Sequence, residues 1–567
     1  MRKTPALLGL LLAPVFAALS VSAQERDPVV DKIIELERKE PRVQEHLRYL
    51  TERIGPRLTG SPNLTRACQW ARGRFESFGL RAWLEEWGTF PVGFERGPSS
   101  GGMVSPVPIP YAFTTNAWSA GTPGPVRARA AFEPTSLEDL EARRSELKGA
   151  WIVDRPRKER PKRKEREPVE KALAELGIAG RVRNAGGELL YAFGDQDVDW
   201  ANLPEDVSIN LLESLHEDLA ERLTEGEKVE LEFDVDNRFL PGPMPLYNVI
   251  AELPGAELGD EFVILGGHID SWDPARGAQD NGTGVATTLE AARLLATAGA
   301  KPRRSIRFML WSGEEQGLLG SAAYVKAHGS EMEHISAVFV HDEGTNYLSG
   351  LSGPKALVSG LELALAPVKT LDSTKPFRIE ENEGLSPFGG SDHGSFLAAG
   401  VPAFSWEQTG RTSYFKSWHT QYDTLDFVVE EYQQHSAVVA ALGAFGVANL
   451  PGKLDRAGLL RTREEGPPRR RMGVQLEGAE VTQVMEGSKA EAAGWQEGDV
   501  ILAIDGVDVD GQRAIVSELQ KGGPQKKVKL KRGEATLDTV LDYTGEPSEA
   551  KREGEAAAPA QEPPKKE

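Results

Sequence analysis

Only one cysteine, Cys68, stands in the 567 residues. No disulfide can therefore form within the chain, and packing must carry stability, with bound metal as the other available source. Positive charge is also short: 66 Lys and Arg face 86 Asp and Glu, a net charge of −20. That balance argues against nucleic acid or an anionic membrane surface as the main partner. The basic run RPRKERPKRKERE, Arg155 to Glu167, is the local exception; its acids and prolines favour a solvated loop over an interaction patch. No apolar run is long enough to span a bilayer. The longest, Ala6 to Leu19, follows Arg2 and Lys3 and ends near Val21-Ser22-Ala23. This is the form of a secretory signal peptide, residues 1–23, with a retained anchor as the weaker alternative. The mature protein is expected to be exported, periplasmic or extracellular, without a membrane span.

A chain of this length exceeds one ordinary core. Residues 24–99 begin with a helix-forming stretch, Asp31 to Arg53. After a Gly/Pro turn, Ser61 suits a helix N-cap and Pro62 the first helical position, and RAWLEEWGTF follows as a strand. Residues 100–237 change character, with Gly/Pro-rich turns and a strand-like LKGAWIVDRP, and are expected to form an inserted lobe. From Leu246 on, the apolar strands EFVILGGHID, SIRFMLWSGEE, ISAVFVHDEG and VPAFSWEQ alternate with helical stretches such as GVATTLEAARLLATAG. Alternation of this kind predicts an α/β core over 238–450: a mostly parallel, mixed sheet with helices on both faces. Residues 451–470 read as a charged linker, 471–545 as a small β-domain, and 546–567 as a low-complexity, disordered tail.

Sites in open parallel sheets form at the carboxyl ends of the strands. Candidate ligands follow each strand there: His268 and Asp270, then Glu314 and Glu315, then Asp342, and His419 at more distance. Asp280 lies in GAQDNGTG, where glycines allow a sharp bend. A lone histidine in a loop is usually solvated, and a Glu pair is usually surface charge. Together, at one edge of the sheet, two His with Asp and Glu suit zinc. Five ligands exceed a tetrahedral site with a water. They fit two metals about 3.5–4 Å apart that share one carboxylate.

The stretches GGHIDSWDPARGAQDNGTG, WSGEEQGLLGS, HDEG and WHTQYDT resemble the co-catalytic zinc exopeptidases of clan MH. Within them the chain is most similar to carboxypeptidase Q-like proteins and related bacterial aminopeptidases, from about Ile33 to Leu450. The resemblance implies two zinc ions bridged by Asp280, with His268 and Asp342 completing one site and Glu315 and His419 the other. Glu314 would be the general base, taking a proton from the attacking water and passing it to the leaving amine. Asp270, two residues beyond His268, would share its strand face and hold the second ring nitrogen. Asp423 would do the same for His419. A cis peptide is implied between Asp280 and Asn281, and a place in the substrate pocket for Asp392 and His393, for which ordinary loop polarity is the alternative. His341 faces away from Asp342 on the strand, and Asp273 reads as a turn residue. One departure stands out. Several relatives carry Tyr directly before the last metal histidine, where its hydroxyl assists the oxyanion; here Trp418 occupies the place, and Tyr414 is the candidate substitute.

The lobe at 100–237 resembles, by position, a protease-associated insertion that could cover the site or select substrates. Residues 471–545 resemble a PDZ domain of bacterial secreted proteases. There Met472-Gly473-Val474 matches the loop that receives a peptide's terminal carboxylate, with a helix near Arg513 to Lys521 as the other wall; a β-domain that merely packs is the alternative. The expected function is a secreted zinc exopeptidase acting on peptides or dipeptides, of carboxypeptidase Q type, with aminopeptidase polarity as the alternative. A homodimer is compatible with the sequence. A serine hydrolase rests only on GPSSG, Gly97 to Gly101, which lacks a strand-to-helix elbow. A non-catalytic PDZ scaffold is disfavoured by the complete set of ligands and base.

Overall fold

The computed structural model describes residues 27–156, 163–461 and 470–544, apart from positions 195, 274, 389, 486 and 510. The expected leader, part of the basic run and of the linker, and the C-terminal tail lie outside the described residues. No helix among the described residues is long and apolar enough to cross a membrane.

A six-stranded mixed sheet takes its strands from between residues 81 and 405. Its strands run in the order Arg81–Phe90, Met244–Leu253, Arg304–Trp311, Leu258–His268, Ile335–Val340, Ala403–Ser405. The first two pairings are antiparallel and the other three parallel. The run Phe262 to His268 is buried at every position, so both faces of this central strand need a cover, and helices supply it. Thr283–Ala298 is buried at all but two positions, and Glu430–Ala448 at all but one from Ser436 onward, as core helices are. Pro62–Ser77 packs on the two antiparallel strands. The glycines before His268 serve close approach. A Cβ on Gly266 would lie 2.2 Å from the Met309 carbonyl oxygen, and one on Gly267 2.8 Å from that of His341.

Local signals hold at the N-terminal edge. Ser61 Oγ accepts from the Leu64 N–H at 3.2 Å, and the helix starts at Pro62. The expected strand Arg81–Phe90 forms over those residues. The long helix read over 31–53 is instead broken into Pro28–Lys39, Val43–Arg48 and a wide turn, Tyr49–Ile54. Pro41 stands at the first break, where its ring bars a continuing helix.

Between Gly93 and Leu240 a second, eight-stranded sheet forms around its own core, which includes Trp151, Phe233, Ile209 and Leu231. Its long pair, Gly93–Ser105 with Glu230–Leu240, is antiparallel. The C-terminal region folds around Trp495, Ile501, Ile504 and Leu530. Its sheet order is Val474–Glu477, Glu480–Val484, Val500–Ile504, Gln525–Arg532, Ala535–Asp542, with the helix Gln512–Gln520 among its elements.

Candidate metal centre

His268 is the last residue of its strand, level with Trp311 on the neighbouring strand. The chain beyond Trp311 therefore brings Glu314 and Glu315 to the same edge, and the chain beyond Val340 brings Asp342. His268 Nε2 lies 3.0 Å from Asp342 Oδ1 and 3.1 Å from Asp280 Oδ1. His419 Nε2 lies 2.9 Å from Glu315 Oε2 and 3.3 Å from Asp280 Oδ2. Five side chains expected from the sequence thus converge, with Asp280 in the middle and one histidine on each of its oxygens. The Asp280–Asn281 peptide is cis. His419 sits at φ 56°, a left-handed conformation that costs a non-glycine residue roughly 1–3 kcal/mol and clusters at functional sites.

The supports differ in part from expectation. His268 Nδ1 donates to the backbone carbonyl of Asp270 at 3.1 Å, which leaves Nε2 free as a ligand. The Asp270 carboxylate is farther from Nδ1, at 3.6 Å. It accepts instead from Thr59 Oγ1 (3.1 Å) and from the backbone N–H groups of Glu314 (3.3 Å) and Glu315 (3.2 Å). Asp270 therefore fixes the Glu314-Glu315 turn as well as the histidine. Asp423 does not hold His419. Its Oδ1 takes the N–H groups of Gln279 (2.5 Å) and Asp280 (3.4 Å), so it orients the central carboxylate. Asp273 is no free turn residue: buried, it accepts from Arg96 at 3.1 Å.

Arg57 and Thr59, in the Gly/Pro turn before Ser61, pack behind these side chains, and the sequence reading left both without roles. Arg57 is fully buried. Its guanidinium donates to the carbonyls of Ile269 (2.6 Å), Gly277 (2.8 Å), Arg276 (3.1 Å) and Gly55 (3.3 Å). It ties both ends of the loop between His268 and Asp280. The Gly/Pro turn before Ser61 was the available signal, but nothing in it says which carbonyls the arginine meets.

The electrostatics are those of a site short of positive charge. Burial pushes Glu315 up to about 7, with Asp280 adding to it and His419 opposing. Burial likewise holds Glu314 well above the usual carboxylate range; His268 opposes, while Asp342, Glu315 and Asp392 add. Asp342 is raised for the same first reason. Burial opposes a charge on the imidazoles, yet Asp342 and Glu314 keep His268 well above its ordinary value, and Asp280 and Glu315 bring His419 to about 10. Asp392, also buried, is pushed up to about 7 by burial, with Asp270 and Asp342 adding. Burial alone takes His393 down to about 4 and is the main cause for His341, also about 4. Tyr414 is raised well above its usual range by burial and then by Asp280, Asp342 and Glu315, which places its ring in the field of the cluster.

Asp270, Asp280, Glu314, Glu315, Asp342 and Asp392 thus share one buried region with two imidazoles, and so many carboxylates there call for bound cations or protons to offset their charge. The donor atoms of His268, Asp280 and Glu315 lie within 4.8 Å of one another, and Glu315 Oε1 is buried without a hydrogen-bond partner. Nitrogen and carboxylate donors at this spacing fit a metal such as zinc.

Fold and site together define a metallopeptidase. Residues 248–443 match the model of peptidase family M28, and residues 480–532 match a PDZ domain; the chain carries a family M28 peptidase domain followed by a PDZ domain. It is 28% identical over 424 residues to carboxypeptidase Q of Rattus norvegicus, covering 73% of this chain and 87% of the relative. The Homo sapiens carboxypeptidase Q is also 28% identical, over 422 residues and the same shares. A peptidase M28 precursor from Shewanella amazonensis is similar in structure, with a TM-score of 0.55 and 26% identity, covering 75% of this chain and 97% of that one.

Proposed function

We propose that the protein is an exported, zinc-dependent exopeptidase of carboxypeptidase Q type that hydrolyses peptides or dipeptides. The supporting observation is the convergence of His268, Asp342, Asp280, Glu315 and His419 with two imidazoles on opposite oxygens of one carboxylate. His268 and Asp342 would hold one zinc, Glu315 and His419 a second, and Asp280 both. Zinc bound there would polarise the scissile carbonyl and acidify the attacking water. Glu314, which is not within the ligand contacts, takes the proton from that water and delivers it to the leaving amine. Its backbone is pinned to Asp270, so its carboxyl stays beside the ligands. Tyr414 supplies a hydroxyl toward the oxyanion in place of the missing tyrosine at 418, and Asp392 and His393 line the substrate side of the pocket.

Aminopeptidase polarity is the second reading. It is favoured by Glu343, an exposed residue directly after Asp342 in the chain, whose carboxyl sits in the negative field of Asp342 and Glu407. A carboxylate in that field gains from a substrate ammonium. Incubating the enzyme with a peptide library and reading by mass spectrometry which terminus shortens distinguishes the two: loss from the C-terminus supports the first reading, loss from the N-terminus the second.

The PDZ domain would hold a peptide's C-terminus by strand addition beside Val474–Glu477, an edge strand of its sheet. Gly473 sits at φ 75°, and a Cβ there would lie 2.2 Å from Ser488 Cβ, so the loop requires glycine. The Met472 side chain belongs to the core, which leaves the backbone of 472–474 to meet the carboxylate.

A further inference from the structure

After the strand Gly180–Asn184, residues 188–194 lie along the segment that carries His419. The Ala192 N–H donates to the His419 carbonyl at 2.7 Å and the Leu190 N–H to Gln421 Oε1 at 2.8 Å. Tyr191 pairs antiparallel with Thr420. On the other side, the Ala117 N–H donates to the Phe193 carbonyl at 2.8 Å. Gly194 packs so closely that a Cβ would stand 2.7 Å from the Ala117 carbonyl oxygen and from the Trp118 ring. The segment is thus held from both sides through its backbone.

That placement gathers aromatic rings around a ligand of the metal centre. Phe193 meets the His419 imidazole edge-on with centroids 5.7 Å apart, and Trp272 does so at 6.0 Å. Trp418 stacks on the same imidazole at 4.0 Å, and Tyr191 stacks on Phe193 at 5.8 Å. The ligand cluster is buried, yet these rings stay open: Phe193 is 46% exposed, Tyr191 38% and Trp418 36%. The stacked pair Tyr191 and Phe193, and Trp418 on the same imidazole, leave apolar ring surface that no described residue covers beside the centre, the kind that takes a ligand. Such rings gain most from another aromatic or large aliphatic group.

We infer that Phe193, Tyr191 and Trp418 form the wall of a specificity pocket that receives an aromatic or large aliphatic side chain next to the scissile bond. The inference rests on the peptidase reading and narrows its substrates to peptides with such a residue at the cleaved end. Phe193 and Tyr191 come from the segment 188–194, so that segment selects substrate while the centre performs the chemistry.

The test uses zinc-loaded, full-length protein and matched tripeptides carrying Phe or Ala at either terminal position. Wild type should prefer Phe at the cleaved end by roughly 10-fold or more in kcat/KM, the scale on which apolar pockets discriminate. Phe193→Ala should shrink that ratio by about the same factor while zinc content is retained, and Phe193→Leu should restore most of it. The loop's hydrogen bonds use backbone atoms, so they survive both changes. Cleavage by wild type without preference for Phe, or an equal loss on both substrates in Phe193→Ala, would overturn the pocket and leave the peptidase reading standing. Failure of zinc-loaded wild type to cleave any peptide would overturn both.

Discussion

Glu314 and Glu315 are neighbours in the chain with different surroundings. Glu315 reaches His419 at 2.9 Å, whereas Glu314 meets no ligand and is raised well above the carboxylate range, by burial first. A ligand and a base should respond differently to substitution. Glu314→Gln should lower kcat by about 10²–10⁴-fold, the usual contribution of a positioned base, with zinc content unchanged by elemental analysis. Full activity in that variant would remove Glu314 from the chemistry. Tyr414→Phe deletes one hydroxyl and should cost about 10²-fold or more in kcat with little change in KM, as loss of an oxyanion donor does. Arg57→Lys replaces a fork that serves four carbonyls by a point charge. Zinc affinity, measured by competition with a chelator, should drop about 10–100-fold, as when a support behind the ligands is lost. The five converging side chains were legible because each follows a strand or sits in the Gly-rich loop between two of them. Arg57, Asp273 and the true partner of Asp423 were not, because each bonds to groups distant in the chain, and residue type alone does not choose among carbonyls or N–H groups.

The strands around the site were legible as elements, since a buried parallel strand must be apolar at consecutive positions, as Phe262 to Leu265 are. The helical reading of 31–53 lost to Pro41. How the helices on either side of that break are fastened was beyond periodicity. Glu37, His46, Glu290 and Arg293 form a buried polar cluster. Arg293 donates to Glu290 at 2.7 and 2.8 Å, and His46 Nε2 stands 3.4 Å from the same carboxylate. Glu37 is pushed up to about 10, by burial first and then by Glu290, with Arg293 opposing. An unfolded glutamate titrates near 4.3. The folded chain therefore keeps a proton that the unfolded chain releases. The contribution of Glu37 to stability is full below about pH 4.3 and is lost as pH climbs toward 10. Thermal unfolding should show Tm falling from pH 6 to 9, and Glu37→Gln should flatten that decline. One such group supplies at most about 1.4 kcal/mol per pH unit. Parallel curves for the two proteins would assign the decline elsewhere.

On the proposed function, the peptidase and PDZ domains would each hold a peptide end. Glu314→Gln, with the probe left intact, allows the second to be measured separately. A fluorescent peptide with a free C-terminal carboxylate should bind the full-length variant more tightly than its amidated twin, with the difference lost on Gly473→Val, which forces a side chain against Ser488. Equal binding of the two peptides would leave the β-domain as a packing module. The central claim concerns the other site: buried carboxylates and two histidines converge there because they hold a pair of metal ions that the hydrolysis requires. The direct measurement is peptide hydrolysis by chelator-stripped protein as zinc is returned in known amounts. Activity should start near zero and saturate at two equivalents per chain; full activity in the stripped protein would contradict the account.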